Sequence, residues 1–173
     1  MKVKNNNILF FLPALHFNEV EYLVIKQKLV KAGLKMFITS DTENICVGNF
    51  NLKVKADINL FNVHETNFSG IVFIGGTGAR NYWDNKKLHR IAIKFIKAEK
   101  IVAAICNAPV ILARAGILEN LSATCFPEDK MELIKSKVNY KDEPVVVDGN
   151  IITCKDPESS SLFADIFIQN IVF

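Results

Sequence analysis

Apolar residues follow two different periods along this chain, and the two periods alternate. Short, almost continuous apolar runs predict buried strands at residues 8–12, 34–40, 70–74 and 100–105. Apolar residues that recur every three or four positions predict amphipathic helices at residues 18–32, 86–99, 109–115, 128–136 and 159–173. Strands that alternate with helices favour an α/β fold, in which a mostly parallel sheet has helices on both faces.

Two of the helical patterns also predict which side chains face the sheet. In the helix at residues 18–32, the expected inner face is Val20, Leu23, Val24, Leu29 and Val30. In the helix at residues 86–99, it is Leu88, Ile91, Ala92, Phe95 and Ile96. Two hairpins are predicted as well, one at residues 45–56 and one at residues 145–154, around Asp148-Gly149-Asn150.

Length, charge and cysteine spacing restrict the class of protein. The chain has 173 residues, and we expect residues 1–173 to form one domain. Its net charge of +3 includes no basic block, so we expect no nucleic-acid partner. No signal peptide or membrane span is recognisable, which predicts a cytoplasmic protein. The cysteines at positions 46, 106, 125 and 154 match no zinc or disulfide pattern, so we expect reduced thiols and no metal.

The end of the fourth predicted strand is the most informative stretch of the chain. The strand stops at Cys106, and Asn107 and Ala108 allow a tight turn before a helix that begins at Pro109. A reactive side chain between a strand and a helix is a nucleophile elbow, and the helix N-terminus is expected to favour the thiolate. The alternative is that Cys106 packs as a small apolar residue, as most buried cysteines do.

A glycine-rich loop, Gly75-Gly76-Thr77-Gly78, follows the third predicted strand. A dinucleotide-binding loop is disfavoured because the full glycine spacing is absent and the loop does not follow the first strand. Glu99 also ends a helix, whereas a ribose-binding acid belongs at the end of a strand. We instead expect Gly75 and Gly76 to let the backbone approach the site closely.

Three separated motifs together resemble the DJ-1/ThiJ/PfpI family, which is related to class I glutamine amidotransferase domains. They are Phe17-Asn18-Glu19-Val20-Glu21, Ile74-Gly75-Gly76 and Ala104-Ile105-Cys106-Asn107-Ala108-Pro109. Their order and spacing extend over nearly the whole chain. The resemblance implies a flavodoxin-like three-layer α/β/α sandwich, a site without a cofactor, and a homodimer.

The resemblance also implies roles for individual residues. Cys106 would be the nucleophile or the redox-sensing thiol, and Glu21 would be a buried, protonated carboxyl that donates a hydrogen bond to the sulfur. Backbone N–H groups of Gly75 or Gly76 and of Asn107 would form an oxyanion hole. From the residues alone, Glu21 is instead typical of a solvated glutamate in the first turn of a helix.

The chain departs from the family at its usual histidines. Asn107 occupies the position where many members have a histidine directly after the cysteine, and Phe126 occupies the later position that other members use. Without an imidazole, general-base catalysis is weakened or moved elsewhere. His16 is the one candidate replacement, with an ordinary loop histidine as the alternative, and His89 is expected on the surface of a helix.

Cys125 and Cys154 are candidate auxiliary residues. Both are expected near Cys106, Cys125 because it precedes Phe126, at the place of the missing histidine, and Cys154 because it ends another strand on the same edge of the sheet. A sulfenic acid formed on Cys106 by peroxide would then condense with one of them to a disulfide. The alternative is that both pack as small apolar residues.

Two functions of different classes follow from the resemblance. The first is a glyoxalase-type or deglycase-type enzyme that acts on small reactive carbonyls through a Cys106 thiolate assisted by Glu21. Protease or amidase activity is disfavoured because it depends on the missing histidine. The second is a non-enzymatic redox sensor or oxidative-stress chaperone, in which Cys106 oxidises to a sulfenate or sulfinate. A member that retains only the fold is a third interpretation.

Overall fold

A seven-stranded sheet forms the centre of the structure, a computed structural model that describes residues 5–42 and 44–172. The strands are β1 Asn7–Phe11, β2 Leu15–Phe17, β3 Lys35–Ser40, β4 Ile45–Gly48, β5 Lys53–Lys55, β6 Ile58–Asn59, β7 Gly70–Phe73, β8 Ile101–Ile105, β9 Ser122–Ala123, β10 Asn139–Tyr140, β11 Val145–Asp148 and β12 Ile151–Cys154. The helices are α1 Glu19–Lys31, α2 Lys86–Lys97, α3 Pro109–Arg114, α4 Lys130–Lys135 and α5 Ser160–Val172. The central sheet has the order β11-β12-β8-β7-β1-β3-β6, and in it β11 alone pairs antiparallel with its neighbour.

Helices cover both faces of the central sheet. Since successive residues of a strand point to opposite faces, each strand packs with helices on both sides. Ile8 and Phe10 of β1 pack with α1 and α5, whereas Leu9 and Phe11 pack with α2, α3 and α4. The three-layer α/β/α sandwich with a mostly parallel sheet is therefore confirmed. None of the helices within residues 5–42 and 44–172 is both long and apolar enough to cross a membrane.

The buried face of α2 is the face that the sequence predicts. Leu88, Ile91, Ala92 and Phe95 are buried, and Ile96 packs against the same cluster. Both hairpins are confirmed as well, as β4 with β5 and as β11 with β12. The strands β2, β6, β9 and β10 were not expected, because two or three residues are too few to show a period.

The predicted inner face of α1 is largely wrong. Of the five residues expected there, Leu29 is buried and Val24 is half-buried, but Val20, Leu23 and Val30 are 50%, 49% and 56% exposed. A second stripe at the same helical spacing, Tyr22, Ile25 and Leu29, packs with α5 instead. The helix therefore faces the sheet with a different side from the one predicted, and on that side Glu21 is fully buried in the interior of the protein.

Candidate active site

Cys106 occupies a strained turn between β8 and α3. Its φ of +62° lies in the left-handed region, which residues with a Cβ rarely adopt. Its N–H donates to the carbonyl of Cys154 at 2.9 Å, and its carbonyl accepts from the N–H of Phe126 at 2.8 Å. These backbone hydrogen bonds hold the thiol at the carboxyl end of the parallel strands, where ligands bind in open α/β sheets.

Glu21 points from the first turn of α1 into this turn. The helix begins after Asn18, whose side-chain oxygen accepts from the N–H groups of Val20 and Glu21 at 3.0 and 3.2 Å. Oε2 of Glu21 accepts from the N–H of Gly75 at 2.7 Å, while Oε1 is buried without a clear hydrogen-bond partner among the described residues. Burial raises the pKa of Glu21 to about 8, against the opposing hydrogen bonds from Gly75 and Cys106. The carboxyl is therefore mostly protonated at neutral pH.

Gly75 and Gly76 leave no room for a side chain, Gly75 because it lies against Cys106 and Gly76 because it lies against the backbone of residues 16–18. A Cβ on Gly75 would stand 2.6 Å from the carbonyl oxygen of Ile105 and 2.9 Å from both Cβ of Cys106 and Oε2 of Glu21. Gly76 has a φ of +103° and would meet backbone atoms at 2.5 Å. The N–H of Gly75 is taken by Glu21, whereas the N–H groups of Gly76 and Asn107 face the sulfur and lower its pKa. The oxyanion-hole role of these donors stays a prediction.

Burial dominates the titration of Cys106. The residue is 4% exposed, and its burial raises the pKa of the thiol far above the ordinary value. A charge on Glu21 would raise it further, because two negative charges would then share one buried pocket. Burial thus opposes the effect expected from the N-terminus of α3, which has six residues, and a thiolate at Cys106 stays a prediction.

Asn107 is the centre of a hydrogen-bond network that the sequence did not indicate. Its Oδ1 lies 3.4 Å from Sγ of Cys106, and its Nδ2 donates to Oδ2 of Asp129 at 2.6 Å. Asp129 is 4% exposed and pairs with Arg80 at 2.8 Å. The backbone carbonyl of Asn107 accepts from the indole N–H of Trp83 at 2.9 Å. Asp129 and Trp83 were missed because they lie 22 and 24 positions from Asn107, so no common period links them and only the fold brings them together.

The histidines lie outside these contacts. His16 has a φ of +59°, and its backbone carbonyl packs against Gly76, but its side chain is exposed. A catalytic role for His16 stays a prediction. The expectation of a surface position for His89 is wrong, because this residue is 5% exposed and its Nε2 lies 2.8 Å from the carbonyl oxygen of Trp83. Phe126 is half-buried and packs beside the cluster that contains Cys106.

The two candidate auxiliary cysteines lie on opposite faces of the sheet. Cys154 packs in the same cluster as Cys106, and its thiol donates to the carbonyl of Asp156 at 3.6 Å. Cys125 packs in the other cluster, with α2, α3 and α4, and its thiol donates to the carbonyl of Phe126 at 3.3 Å. All four cysteines are free thiols. In the described part of the chain, no three or more His, Cys, Asp or Glu side chains are grouped as metal ligands would be.

A parallel α/β sandwich with a strained cysteine at a strand end and a buried glutamate beside it defines a protein of the nucleophile-elbow class. The chain belongs to the DJ-1/PfpI family, whose model matches residues 6–170. The family resemblance carried by the three sequence motifs is thereby confirmed.

Similarity to individual proteins covers most of the chain. A deglycase of Pyrococcus horikoshii is 33% identical over 147 residues, which are 85% of this chain and 89% of that protein. A glutathione-independent glyoxalase of Caenorhabditis elegans is 27% identical over 157 residues, 90% of this chain and 83% of that protein. Among solved structures, a ThiJ/PfpI domain protein from Brachyspira murdochii is 33% identical, with a TM-score of 0.94 over 96% of both chains.

Proposed function

We propose that this protein is a cofactor-free enzyme of the glyoxalase or deglycase type, which acts on small reactive carbonyls. Cys106 is the nucleophile and Glu21 carries the proton. The observation that supports this most directly is the buried Glu21 carboxyl beside Cys106, with Oε1 free of a clear partner among the described residues and a pKa of about 8. A general base works best when its pKa is near the working pH, and this carboxyl meets that condition.

The first step of the proposed reaction uses the ionised fraction of Glu21. Its carboxylate removes the thiol proton, and the resulting Cys106 thiolate attacks the aldehyde carbon, so that an S–C bond forms and the carbonyl oxygen takes the electron pair. The N–H groups of Gly76 and Asn107 stabilise the charge on this oxygen. The protonated Glu21 then returns its proton to the oxygen, which gives a hemithioacetal and restores the carboxylate.

The second step converts a ketoaldehyde adduct into a hydroxy acid. The Glu21 carboxylate takes the C–H proton of the hemithioacetal carbon, an enediol forms, and the proton returns to the neighbouring carbon. The product is a thioester of Cys106, which water cleaves to release the hydroxy acid and the free thiol. No electron leaves or enters the system, so no redox cofactor takes part in the balance.

Two relatives carry names that support this class of substrate. The Pyrococcus horikoshii protein is named a deglycase and the Caenorhabditis elegans protein a glutathione-independent glyoxalase. Both names describe activity on carbonyl compounds or their adducts, and the proposed chemistry of Cys106 and Glu21 is of this kind. The substrate of this chain remains part of the proposal.

Turnover of methylglyoxal without glutathione or added metal tests the proposal. We expect many molecules of hydroxy acid per protein chain, and a loss of at least about a hundredfold in Cys106→Ala and in Glu21→Gln. Cys46→Ala is the matched control, because Cys46 is equally buried but lies in β4, in the small sheet with β2 and β5. A wild-type protein that makes at most one product molecule per chain would contradict the enzyme.

A thiol redox sensor or oxidative-stress chaperone is the second candidate, and the donors around Sγ favour it. Peroxide would oxidise Cys106 to a sulfenic acid with release of water, and a second peroxide would give a sulfinic acid. In this proposal, the N–H groups of Gly76 and Asn107 and the protonated Glu21 would donate to the new oxygens. Mass spectrometry after mild peroxide tests this function: stoichiometric oxidation of Cys106 without carbonyl turnover supports the sensor, and an unoxidised Cys106 contradicts it.

We also propose that two copies of the chain form a homodimer through the exposed apolar side of α1. Val20 and Leu23 are about half exposed there. The adjacent hairpin tip adds Phe50, which is 80% exposed and whose N–H donates to Glu19 of α1 at 2.8 Å. Neighbouring apolar side chains that remain exposed on a folded chain are typical of an interface.

A further inference from the structure

The side-chain amide of Asn107 has a fixed direction. Its two ends are chemically different, since the oxygen only accepts hydrogen bonds and the nitrogen only donates them. Oδ1 faces Sγ of Cys106 at 3.4 Å, and Nδ2 faces Oδ2 of Asp129 at 2.6 Å. The opposite orientation would place Oδ1 against a carboxylate oxygen, so that two acceptors would meet in a buried site.

Asp129 is itself held in place, so its contact with Nδ2 fixes the orientation of the Asn107 amide. Its side chain is 5% exposed, and its other oxygen, Oδ1, accepts from Arg80 at 2.8 Å. The pairing with Arg80 holds the carboxyl group of Asp129 in place beside Asn107. The backbone of Asn107 is held as well, because its carbonyl accepts from Trp83. Both the backbone and the side chain of Asn107 are thus held by hydrogen bonds that keep Oδ1 beside Sγ of Cys106.

We infer that Asp129 is a positioning residue: by fixing the amide of Asn107 with its oxygen toward Cys106, it disfavours the thiolate of Cys106 relative to the thiol. An amide oxygen accepts the weak S–H donor but repels the negative sulfur of a thiolate. An amide nitrogen in the same place would donate to the thiolate and stabilise it. Asp129 thus sets the reactivity of Cys106 without touching it.

Other charged and titratable groups surround the Cys106–Glu21 pair. Glu21 of α1 acts on Cys106 directly, and a charge on it opposes the thiolate. Asp156 and Glu158, after β12, act on Glu21, Cys154 of β12 packs in the same cluster as Cys106, and Asp129 with Arg80 reaches Cys106 through Asn107. The inference depends on the proposed function only for Cys106 as the reacting atom, and its test measures the thiol rather than turnover.

The test measures thiol ionisation of Cys106, by the ultraviolet absorbance of the thiolate and by the pH dependence of iodoacetamide alkylation. In Asp129→Asn, the partner of the amide can accept or donate, so Asn107 is free to turn its nitrogen to the sulfur. We expect the thiol pKa to fall by about one unit, which is about tenfold faster alkylation at neutral pH. Glu128→Gln is the matched control, since Glu128 also pairs with Arg80, at 3.5 Å, but does not contact Asn107.

A double-mutant cycle separates the amide from the charge of Asp129. Asn107→Ala removes the facing oxygen and keeps Asp129, so the thiol pKa should fall in this variant too, and Asp129→Asn should then add no further change. The inference is overturned if Asp129→Asn leaves the pKa unchanged, or lowers it equally with and without Asn107. Asn107→Ala alone decides the question if the Asp129 variant does not fold: an unchanged or higher pKa contradicts the inference.

Discussion

Helices α1 and α2 have nearly the same length, 13 and 12 residues, but they relate to their sequences in opposite ways. In α2 the apolar stripe is buried and the lysines are exposed, as the period predicts. In α1 a glutamate is fully buried, whereas Val20 and Leu23 are about half exposed. The difference teaches that a helical period predicts the buried face where one apolar stripe is present, as in α2, but not in α1, where packing against α5 selects a second stripe and Glu21 is buried with it.

The largest effect expected from this comparison is a loss of folding stability on substitution of a buried residue in α2. Phe95 of α2 is fully buried and stacks on Phe68, with ring centroids 6.3 Å apart. Phe95→Ala should lower the free energy of unfolding by about 3–5 kcal/mol, because it removes apolar contacts and leaves a cavity. Urea denaturation measures this loss. Lys94→Ala, one position earlier on the exposed face, should change stability by less than about 0.5 kcal/mol; equal losses in the two variants would contradict the assignment of the faces.

What the sequence could predict follows the same division. The longer strands, the layers and the face of α2 were predictable because each depends on a local period, whereas the strands of two or three residues, β2, β6, β9 and β10, were not. The position of Cys106 at a strand end was predictable from the apolar run before it and from Pro109 after it. The face of α1 was not, since two apolar stripes at the same spacing compete and only packing against α5 decides between them. Asp129 beside Asn107 depends on tertiary contacts alone, and so does the burial that raises the pKa of the Cys106 thiol.

The next effect concerns the buried carboxyl of α1 and should appear as a dependence of stability on pH. Below its ordinary pKa of 4.5, Glu21 is protonated in the folded and the unfolded chain. From 4.5 to about 8 it is protonated in the folded state only, so the folded state binds more protons and stability falls as pH rises. At roughly 1.4 kcal/mol per pKa unit, the loss across this range is on the order of a few kcal/mol.

Glu21→Gln isolates this contribution, because glutamine has the same shape and does not titrate. The difference in unfolding free energy between the variant and the wild type, measured by urea denaturation across this pH range, should grow steadily in favour of the variant. Phe95→Ala provides the contrast from α2: it lowers stability but should keep the wild-type slope with pH. Identical slopes for Glu21→Gln and the wild type would mean that the carboxyl ionises in the folded protein as freely as in water, and the proposed proton carrier would lose its support.

The smallest effect on stability is expected from a substitution on the exposed side of α1. The same substitution should decide whether α1 forms the proposed dimer contact. Leu23 is 49% exposed and makes no part of the buried stripe. Leu23→Lys should therefore change the stability of the single chain by less than about 0.5 kcal/mol. If α1 forms the dimer contact, the same change places two charges in an apolar interface and should shift the mass in solution from two chains to one.

Light scattering coupled to size-exclusion chromatography measures that mass, and Ile134→Lys is the matched control. Ile134 is 44% exposed, much like Leu23, but it belongs to α4 on the opposite face of the sheet. It should leave the dimer intact. Dissociation by Ile134→Lys with an unaffected Leu23→Lys would move the interface to the other layer, and a wild-type mass of one chain would remove the dimer altogether. In that last case no second copy would cover the exposed apolar side of α1. The difference between α1 and α2 would then rest on the buried side of α1 alone, where Glu21 lies beside Cys106.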